Sequence, residues 1–148
     1  MILPSPKPAF LALALWLSAL GLYVLSGNGY AGQIDLSTHT IYYSAFPSRL
    51  IPTDVAGAHR LRRADDLMMV NITVQKMNEP AEATISGEVI NLLGQIQTLR
   101  FVPIKEAQAL YYLSEVIVDE RDWLRFKIRI EIDPELDPYE FEFERRFY

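Results

Sequence analysis

The chain has 148 residues, of which 50% are hydrophobic and 22% are charged, and its formal net charge is −5. This size and composition are typical of a single globular domain. The chain has no cysteine, which excludes disulfide bonds, thiolate zinc sites and thiol catalysis. The acidic balance argues against a nucleic-acid partner, because such partners select clustered positive charge.

The N-terminal part of the chain has the pattern of a secretory signal peptide. Residues 9–25 form an apolar run in which Ser18 is the one polar residue, and small residues follow up to Ala31. Small residues at this position suit a signal peptidase. We therefore predict cleavage after Ala31, with residues 1–31 as signal peptide and residues 32–148 as one periplasmic domain. The alternative is an uncleaved inner-membrane anchor, since the apolar run reaches the lower limit for a membrane span.

Short strand-like runs follow one another along the rest of the chain. Their β-branched and aromatic content, or their alternation of apolar and polar residues, predicts β-strands. The predicted strands lie at residues 40–46, 67–76, 81–92, 96–104, 110–118, 124–132 and 139–147. Between residues 52 and 60, a proline, an acid and several alanines predict one short helix that caps an end of the fold.

The chain is arranged around a predicted β-hairpin at residues 86–101. Its two strands meet at residues 91–95, where Gly94 can adopt the positive φ that such a turn requires. The strand before the turn alternates between apolar and polar residues, and this predicts one buried and one exposed face.

The last two predicted strands carry complementary charges on their outward faces. If Ile130 lies opposite Tyr139 in an antiparallel pair, three cations face three carboxylates. These predicted pairs are Arg129 with Glu140, Lys127 with Glu142, and Arg125 with Glu144. Cross-strand charge pairs select a register, at up to about 1 kcal/mol each. Burial of the apolar face stabilises the strands more, at roughly 1.5–3 kcal/mol per fully buried side chain.

Together these patterns predict an all-β fold. We expect an antiparallel, immunoglobulin-like β-sandwich of about seven strands with one short helix. A small barrel is the alternative arrangement of the same strands.

Several segments of the chain carry a family resemblance. They are residues 40–52, 70–74, 86–95, 109–113, 124–126 and 147–148. In these segments the chain resembles the DUF4426 family of exported proteobacterial proteins, most specifically in the Asn-Leu-Leu-Gly-Gln turn at residues 91–95. The resemblance implies a small all-β envelope protein of unknown function and supplies no catalytic residues. This chain has Tyr42 and Ser44 where the family often has a histidine and an asparagine.

Paired tyrosines are candidates for a binding surface. Tyr42 with Tyr43, and Tyr111 with Tyr112, place one ring inward and one outward on each strand. Tyrosine supplies rigid amphipathic contact area, so we name Tyr42, Tyr111 and Tyr112 as candidate binding residues. The alternative is that these rings cover the edge of the sandwich.

A group of arginines near the predicted helix is a candidate anion-binding patch. Its members are Arg60, Arg62 and Arg63, together with Arg49. The alternative is a solvated loop whose charge is neutralised by Asp65 and Asp66. His39 and His59 have no partner at a ligating or catalytic spacing, so we predict no metal site, no cofactor and no catalytic residue.

The sequence favours a non-enzymatic binding or accessory module of the cell envelope. Its partner is expected to be an envelope protein or a small ligand, with membrane contact only if the leader is uncleaved. Two alternatives stay open. One is an envelope hydrolase whose site residues are dispersed in sequence. The other is an assembly factor associated with the outer membrane, suggested by the aromatic C-terminal strand.

Overall fold

The computed structural model describes residues 30–106, 108–119 and 121–147, so the predicted signal peptide lies outside the described residues except for Tyr30 and Ala31. The described part forms ten strands and one short α-helix. The strands are β1 (Tyr30–Asp35), β2 (Thr40–Pro47), β3 (Leu67–Lys76), β4 (Glu79–Pro80), β5 (Thr84–Ile90), β6 (Ile96–Arg100), β7 (Val102–Glu106), β8 (Ala109–Ile117), β9 (Trp123–Glu131) and β10 (Tyr139–Arg146). The helix is α1 (Thr53–His59), preceded by a 3-10 turn at Ser48–Leu50. Among these described residues, no helix has the length and apolarity needed to cross a membrane.

Two antiparallel sheets pack face to face. In the first sheet the strand order is β1-β2-β3-β8-β7, with β4 paired to β3, and in the second it is β10-β9-β5-β6. The core between the sheets contains Ile41 and Ile72 from the first sheet and Phe126 and Ile130 from the second, all fully buried. The predicted antiparallel sandwich with one short helix is confirmed, and the two sheets do not close into a barrel.

The structure has more strands than the sequence predicts because one run is divided and others were missed. The run at residues 96–104 breaks at Phe101, where the chain leaves the edge of the second sheet and joins the edge of the first. Side chains link β6 to β8 of the first sheet beside this crossing: Gln97 makes two hydrogen bonds to the backbone of Ile117, at 2.6 and 3.1 Å, and the Ser114 hydroxyl accepts the Arg100 N–H at 3.0 Å. Strand β1, which pairs with β2, was also missed.

The short helix is confirmed, but its predicted position over an end of the fold is wrong. Val55 of α1 packs in a second apolar cluster with Phe46, Met69 and Leu113, on the face of the first sheet that points away from the second sheet. The helix therefore adds a third layer over part of that face. For the same reason, β3 is buried on both faces from Leu67 to Ile72, although its alternating sequence predicts a half-buried strand throughout.

The predicted hairpin is confirmed as β5 and β6. Gly94 has φ of +78°, and the Asn91 side chain accepts the N–H groups of Leu93 and Gln95 at 3.1 and 2.8 Å. The turn is thus held by one asparagine side chain and one glycine backbone.

The predicted register of the last two strands is also confirmed, with Tyr139 opposite Ile130. All three predicted charge pairs are direct cross-strand neighbours. Two of them make salt bridges at 3.0 Å, whereas Lys127 turns to Glu88 on β5, at 3.8 Å. On the inward face, Phe143 stacks on Phe126 with ring centroids 4.6 Å apart, so β10 is an integral part of the core.

Candidate functional site

A groove of about 410 Å³ opens on the outer face of the first sheet, beside the C-terminal end of α1. Met69 and Leu113 give it an apolar floor, and both are nearly fully buried. They point outward because their neighbours along β3 and β8 fill the core between the sheets. Leu61, Ile104 and the exposed Val102 extend the apolar lining. The groove thus lies over the part of this face that α1 leaves open.

Two exposed arginines that are distant in sequence line this groove. Arg60 follows α1 in a left-handed conformation, with φ of 55°, and its N–H bonds to carbonyl groups of the helix. Arg100 ends β6, where the bond from its N–H to Ser114 fixes its position. Neither guanidinium takes part in a salt bridge within the described part of the chain. The groove therefore combines an apolar floor with two uncompensated cations.

Two further polar groups of the groove, Glu115 and Ser114, are engaged in structural contacts. Glu115 forms an ion pair with Arg62 at 3.2 Å. The Ser114 hydroxyl, 2% exposed, accepts the Arg100 N–H. His59 also lines the groove. Because the carboxylate is tied to Arg62, the cations that face an incoming ligand are Arg60 and Arg100.

The four arginines of the predicted patch do not form one surface in the structure. Arg60 lines the groove and Arg62 borders it through its ion pair, but Arg63 donates to the Arg49 carbonyl at 3.0 Å. Arg49 in turn forms an ion pair with Asp65 at 2.6 Å. The predicted neutralisation by loop carboxylates thus applies to Arg49. Arg100 was not among the predicted site residues, because no local sequence pattern marks it.

Of the three candidate tyrosines, Tyr42 alone keeps an accessible ring. One ring of each pair points inward, as predicted: Tyr43 packs on Phe141, and the Tyr112 hydroxyl accepts the Ala83 N–H at 2.9 Å. Tyr111 points outward but is only 8% exposed, because it packs in the cluster that includes α1. Tyr42 lies half-buried on β2. The structure does not bring the tyrosines together with the groove arginines.

Several exposed ion pairs outside the groove shift the pKa values of their members. Hydrogen bonding and charge from Asp65 raise the pKa of Arg49, and the same contacts lower the pKa of Asp65. A hydrogen bond that Lys105 donates to Glu82 raises the pKa of Lys105, and hydrogen bonds that Arg129 donates to Glu140 and then to Glu131 raise the pKa of Arg129. Exposed pairs of this kind contribute little to stability because water and salt screen them.

Two other hollows differ from the groove in charge. One, of about 400 Å³, is lined by Lys105 and Glu82, which pair with each other at 2.9 Å. The other, of about 480 Å³, is lined by Arg125 and Glu144, which pair at 3.0 Å. In each of these hollows the cation is already paired with a carboxylate, so the groove is the better candidate for holding an anionic ligand.

The sequence of this chain matches a known protein family over nearly all of the described residues. The family model described as a domain of unknown function, DUF4426, matches residues 33–148. The chain belongs to the DUF4426 family. Among proteins with curated descriptions, none matches this chain.

Solved structures share the fold of this DUF4426 protein. A DUF4426 family protein from Pseudomonas aeruginosa PAO1 is 24% identical, with a TM-score of 0.71, over 80% of this chain and 94% of its own. A copper-bound variant of FetP from uropathogenic Escherichia coli strain F11 is 12% identical, with a TM-score of 0.55, over 80% and 97%. FetP as isolated after recombinant expression in the periplasm of E. coli is 14% identical, with a TM-score of 0.54, over 82% and 97%.

The copper in that FetP structure is a property of FetP. In residues 30–106, 108–119 and 121–147 of this chain, no group of three or more histidine, cysteine, aspartate or glutamate side chains is placed to hold a metal ion. At these levels of identity the likeness shows the fold alone, and we do not transfer copper binding to this DUF4426 protein.

Proposed function

We propose that this DUF4426 protein is a non-catalytic binding module of the cell envelope, and that its groove binds a ligand with an anionic group joined to an apolar segment. The observation that carries the proposal is the pair of uncompensated cations, Arg60 and Arg100, beside the apolar floor of Met69 and Leu113. Binding pockets commonly combine a mostly apolar lining with a few placed polar groups that orient the ligand.

Both parts of such a ligand have a physical reason to bind. A carboxylate or phosphate can accept charge-assisted hydrogen bonds from Arg60 and Arg100, and guanidinium groups match these anions in geometry. An apolar segment would cover Ile104 and Val102, the latter 61% exposed. Removal of apolar surface from water is favourable by roughly 25 cal/mol per Å². The groove is therefore complementary to an amphiphile.

The contacts in the groove favour binding over hydrolysis. A hydrolase needs a nucleophile or a water-activating base that is free to act on a substrate. Here the Ser114 hydroxyl already accepts a backbone N–H, and Glu115 already pairs with Arg62. Both groups hold the walls of the groove in place. This supports a module that presents a surface without reacting.

We place this module in the periplasm. The sequence supports this location through the leader at residues 1–31, with its apolar run and small residues. The fold neighbour FetP, which was expressed in the periplasm of E. coli, is consistent with it. The outer-membrane assembly alternative depends on the aromatic C-terminal strand, whose Phe143 is used in the core of this domain.

The proposal is tested with dansyl-labelled undecanoic acid as a fluorescent amphiphile and the full chain as the binding protein. Arg60→Asn and Arg100→Gln should each weaken binding by about tenfold, because a charge-assisted hydrogen bond contributes on the order of 1.5 kcal/mol. Asparagine is chosen at position 60 because it tolerates positive φ.

Arg121→Asn is the matched control. Arg121 is also exposed, also has positive φ, at 61°, and does not line the groove. It should leave the affinity unchanged. Equal affinity in all three variants, or no binding by the unmodified chain, would overturn the assignment of the groove.

A further inference from the structure

One end of the sandwich exposes a set of large apolar side chains, which we call the apolar tip. The tip consists of Leu92, Leu93, Ile96, Ile117 and Trp123. Leu93 is 80% exposed and Leu92 is 69% exposed. None of the five lines the groove of the proposed function, so the tip is a second surface that needs its own explanation.

The fold brings these residues together from three segments. Leu92, Leu93 and Ile96 belong to the β5–β6 turn and the start of β6, Ile117 ends β8, and Trp123 starts β9. The Gln97 side chain ties β6 to the Ile117 backbone. Leu92 and Trp123 line the same hollow, of about 480 Å³. The Arg146 guanidinium lies 4.3 Å from the centre of the Trp123 ring, so the tip has a cation at its edge.

The turn itself does not need two leucines. Its geometry is set by the Asn91 side chain and by the positive φ of Gly94. Tight turns usually carry small or polar residues, because these residues stabilise the backbone and remain in water. Leu92 and Leu93 are exposed and outside the core, so their apolarity has no folding role in the described part of the chain.

The start of the described chain lies toward the same end. Tyr30 pairs with Ala45, two residues before β2 ends, and β2 ends where the neighbouring β3 lies beside Ile117 at the end of β8. In the sequence, the apolar run at residues 9–25 finishes five residues before Tyr30. A fully extended chain covers at most about 3.5 Å per residue, so this connection reaches no further than about 17 Å. An apolar run of this length enters a bilayer during export.

We propose that the apolar tip docks on the surface of a lipid bilayer, with Leu92 and Leu93 inserted among the acyl chains and Trp123 at the level of the headgroups. Tryptophan is enriched at membrane–water interfaces because its ring is amphipathic. The stem of Arg146 can lie along apolar surface while its guanidinium stays hydrated. While the leader is attached, it holds this end of the domain at the membrane.

The lack of cysteine allows one probe to be placed at a chosen position. Leu93→Cys places a polarity-sensitive nitrobenzoxadiazole dye at the tip. Met77→Cys is the matched control, since Met77 is 88% exposed and follows β3 at the opposite end of the sandwich. Each labelled full chain is reconstituted into vesicles of phosphatidylethanolamine and phosphatidylglycerol, with and without spin-labelled lipid, and circular dichroism confirms that it is folded.

Quenching of the dye at position 93 by spin-labelled lipid, severalfold stronger than at position 77, is the expected result. Equal and weak quenching at both positions would overturn the proposal. A signal at position 93 that changes without vesicles and grows with protein concentration would show that a second copy covers the tip, and this would also overturn it.

A second readout uses the native tryptophan. In a Trp16→Phe background, spin-labelled lipid should quench Trp123, and replacing both Leu92 and Leu93 with serine should largely abolish this quenching. Unchanged quenching of Trp123 in the serine variant would contradict the insertion of the two leucines.

Discussion

At the scale of single residues, positive φ shapes two parts of the backbone: the β5–β6 turn at Gly94 and the end of α1 at Arg60. Gly94 was predicted from turn chemistry alone, and its φ of +78° agrees. Arg60 was singled out as a candidate anion ligand, and the structure places it in the groove. Arg100 was missed because it sits within an evenly apolar run and meets Arg60 only in the folded chain. The burial of Tyr111 depends on α1, which a strand pattern does not reveal.

Replacing Gly57 or Gly94 with alanine should change the free energy of unfolding in opposite directions. A Cβ atom has open space at both sites, so packing does not decide the outcome. Gly94→Ala should lower the free energy of unfolding by about 1–2 kcal/mol, because alanine resists positive φ. Gly57→Ala, within α1, should raise it by roughly 0.5–1 kcal/mol, because alanine loses less backbone entropy in a helix.

Urea unfolding of both variants and of the unmodified chain measures these changes in the free energy of unfolding. The same sign of change at both positions would contradict the backbone argument. If Gly94→Ala had no effect, the conformation assigned to the turn would be wrong.

At the scale of secondary structure, alternation was the informative signal. The strict alternation in β9 and β10, with opposite charges on their outward faces, predicted both strands and their register. The run at residues 96–104 has no such alternation, and the sequence therefore did not reveal that the chain changes sheets at Phe101. Strand β1 was missed because its alanine, glycine and aspartate residues have weak β propensity and its first residues were assigned to the leader.

Strand β10 should be indispensable for solubility. A chain ending at Asp137 lacks β10, which exposes the inward face of β9 and leaves β9 as an unpaired edge. Such edges pair with other chains and promote aggregation. We expect this truncated chain to aggregate and a chain lacking only Tyr148 to fold normally, as measured by sedimentation and circular dichroism. A soluble, folded chain ending at Asp137 would show that β10 is dispensable.

At the scale of the whole molecule, the sequence predicted the two-sheet architecture but not its third layer. The groove exists because α1 covers only part of the apolar outer face of the first sheet. The sequences of a charged loop and a short helix do not show which face of a sheet these elements cover. The groove could therefore not be predicted from the sequence. The apolar tip likewise depends on three chain segments meeting at one end.

The leader gives a prediction at this scale. Cleavage after Ala31 would shorten β1 to four residues and remove the pairings of Tyr30 with Ala45 and Ala31 with Ser44. The remaining strand keeps Gly32 against the ring of Tyr43, where a larger residue would clash. We expect the intact mass of the protein from the envelope fraction to match residues 32–148. A species that retains residues 1–31 would instead indicate a membrane anchor.

Backbone amide chemical shifts, followed while undecanoic acid is added to the isotope-labelled full chain, show directly whether the groove is the ligand site. If it is, saturable shifts occur at amides that line the groove, in particular Thr98, Leu113 and Ser114. The amides of Glu82 and Lys105, which line another hollow and pair with each other, should stay unchanged. Saturable shifts confined to Glu82 and Lys105, or none in the groove at any concentration, would show that the groove is not the ligand site.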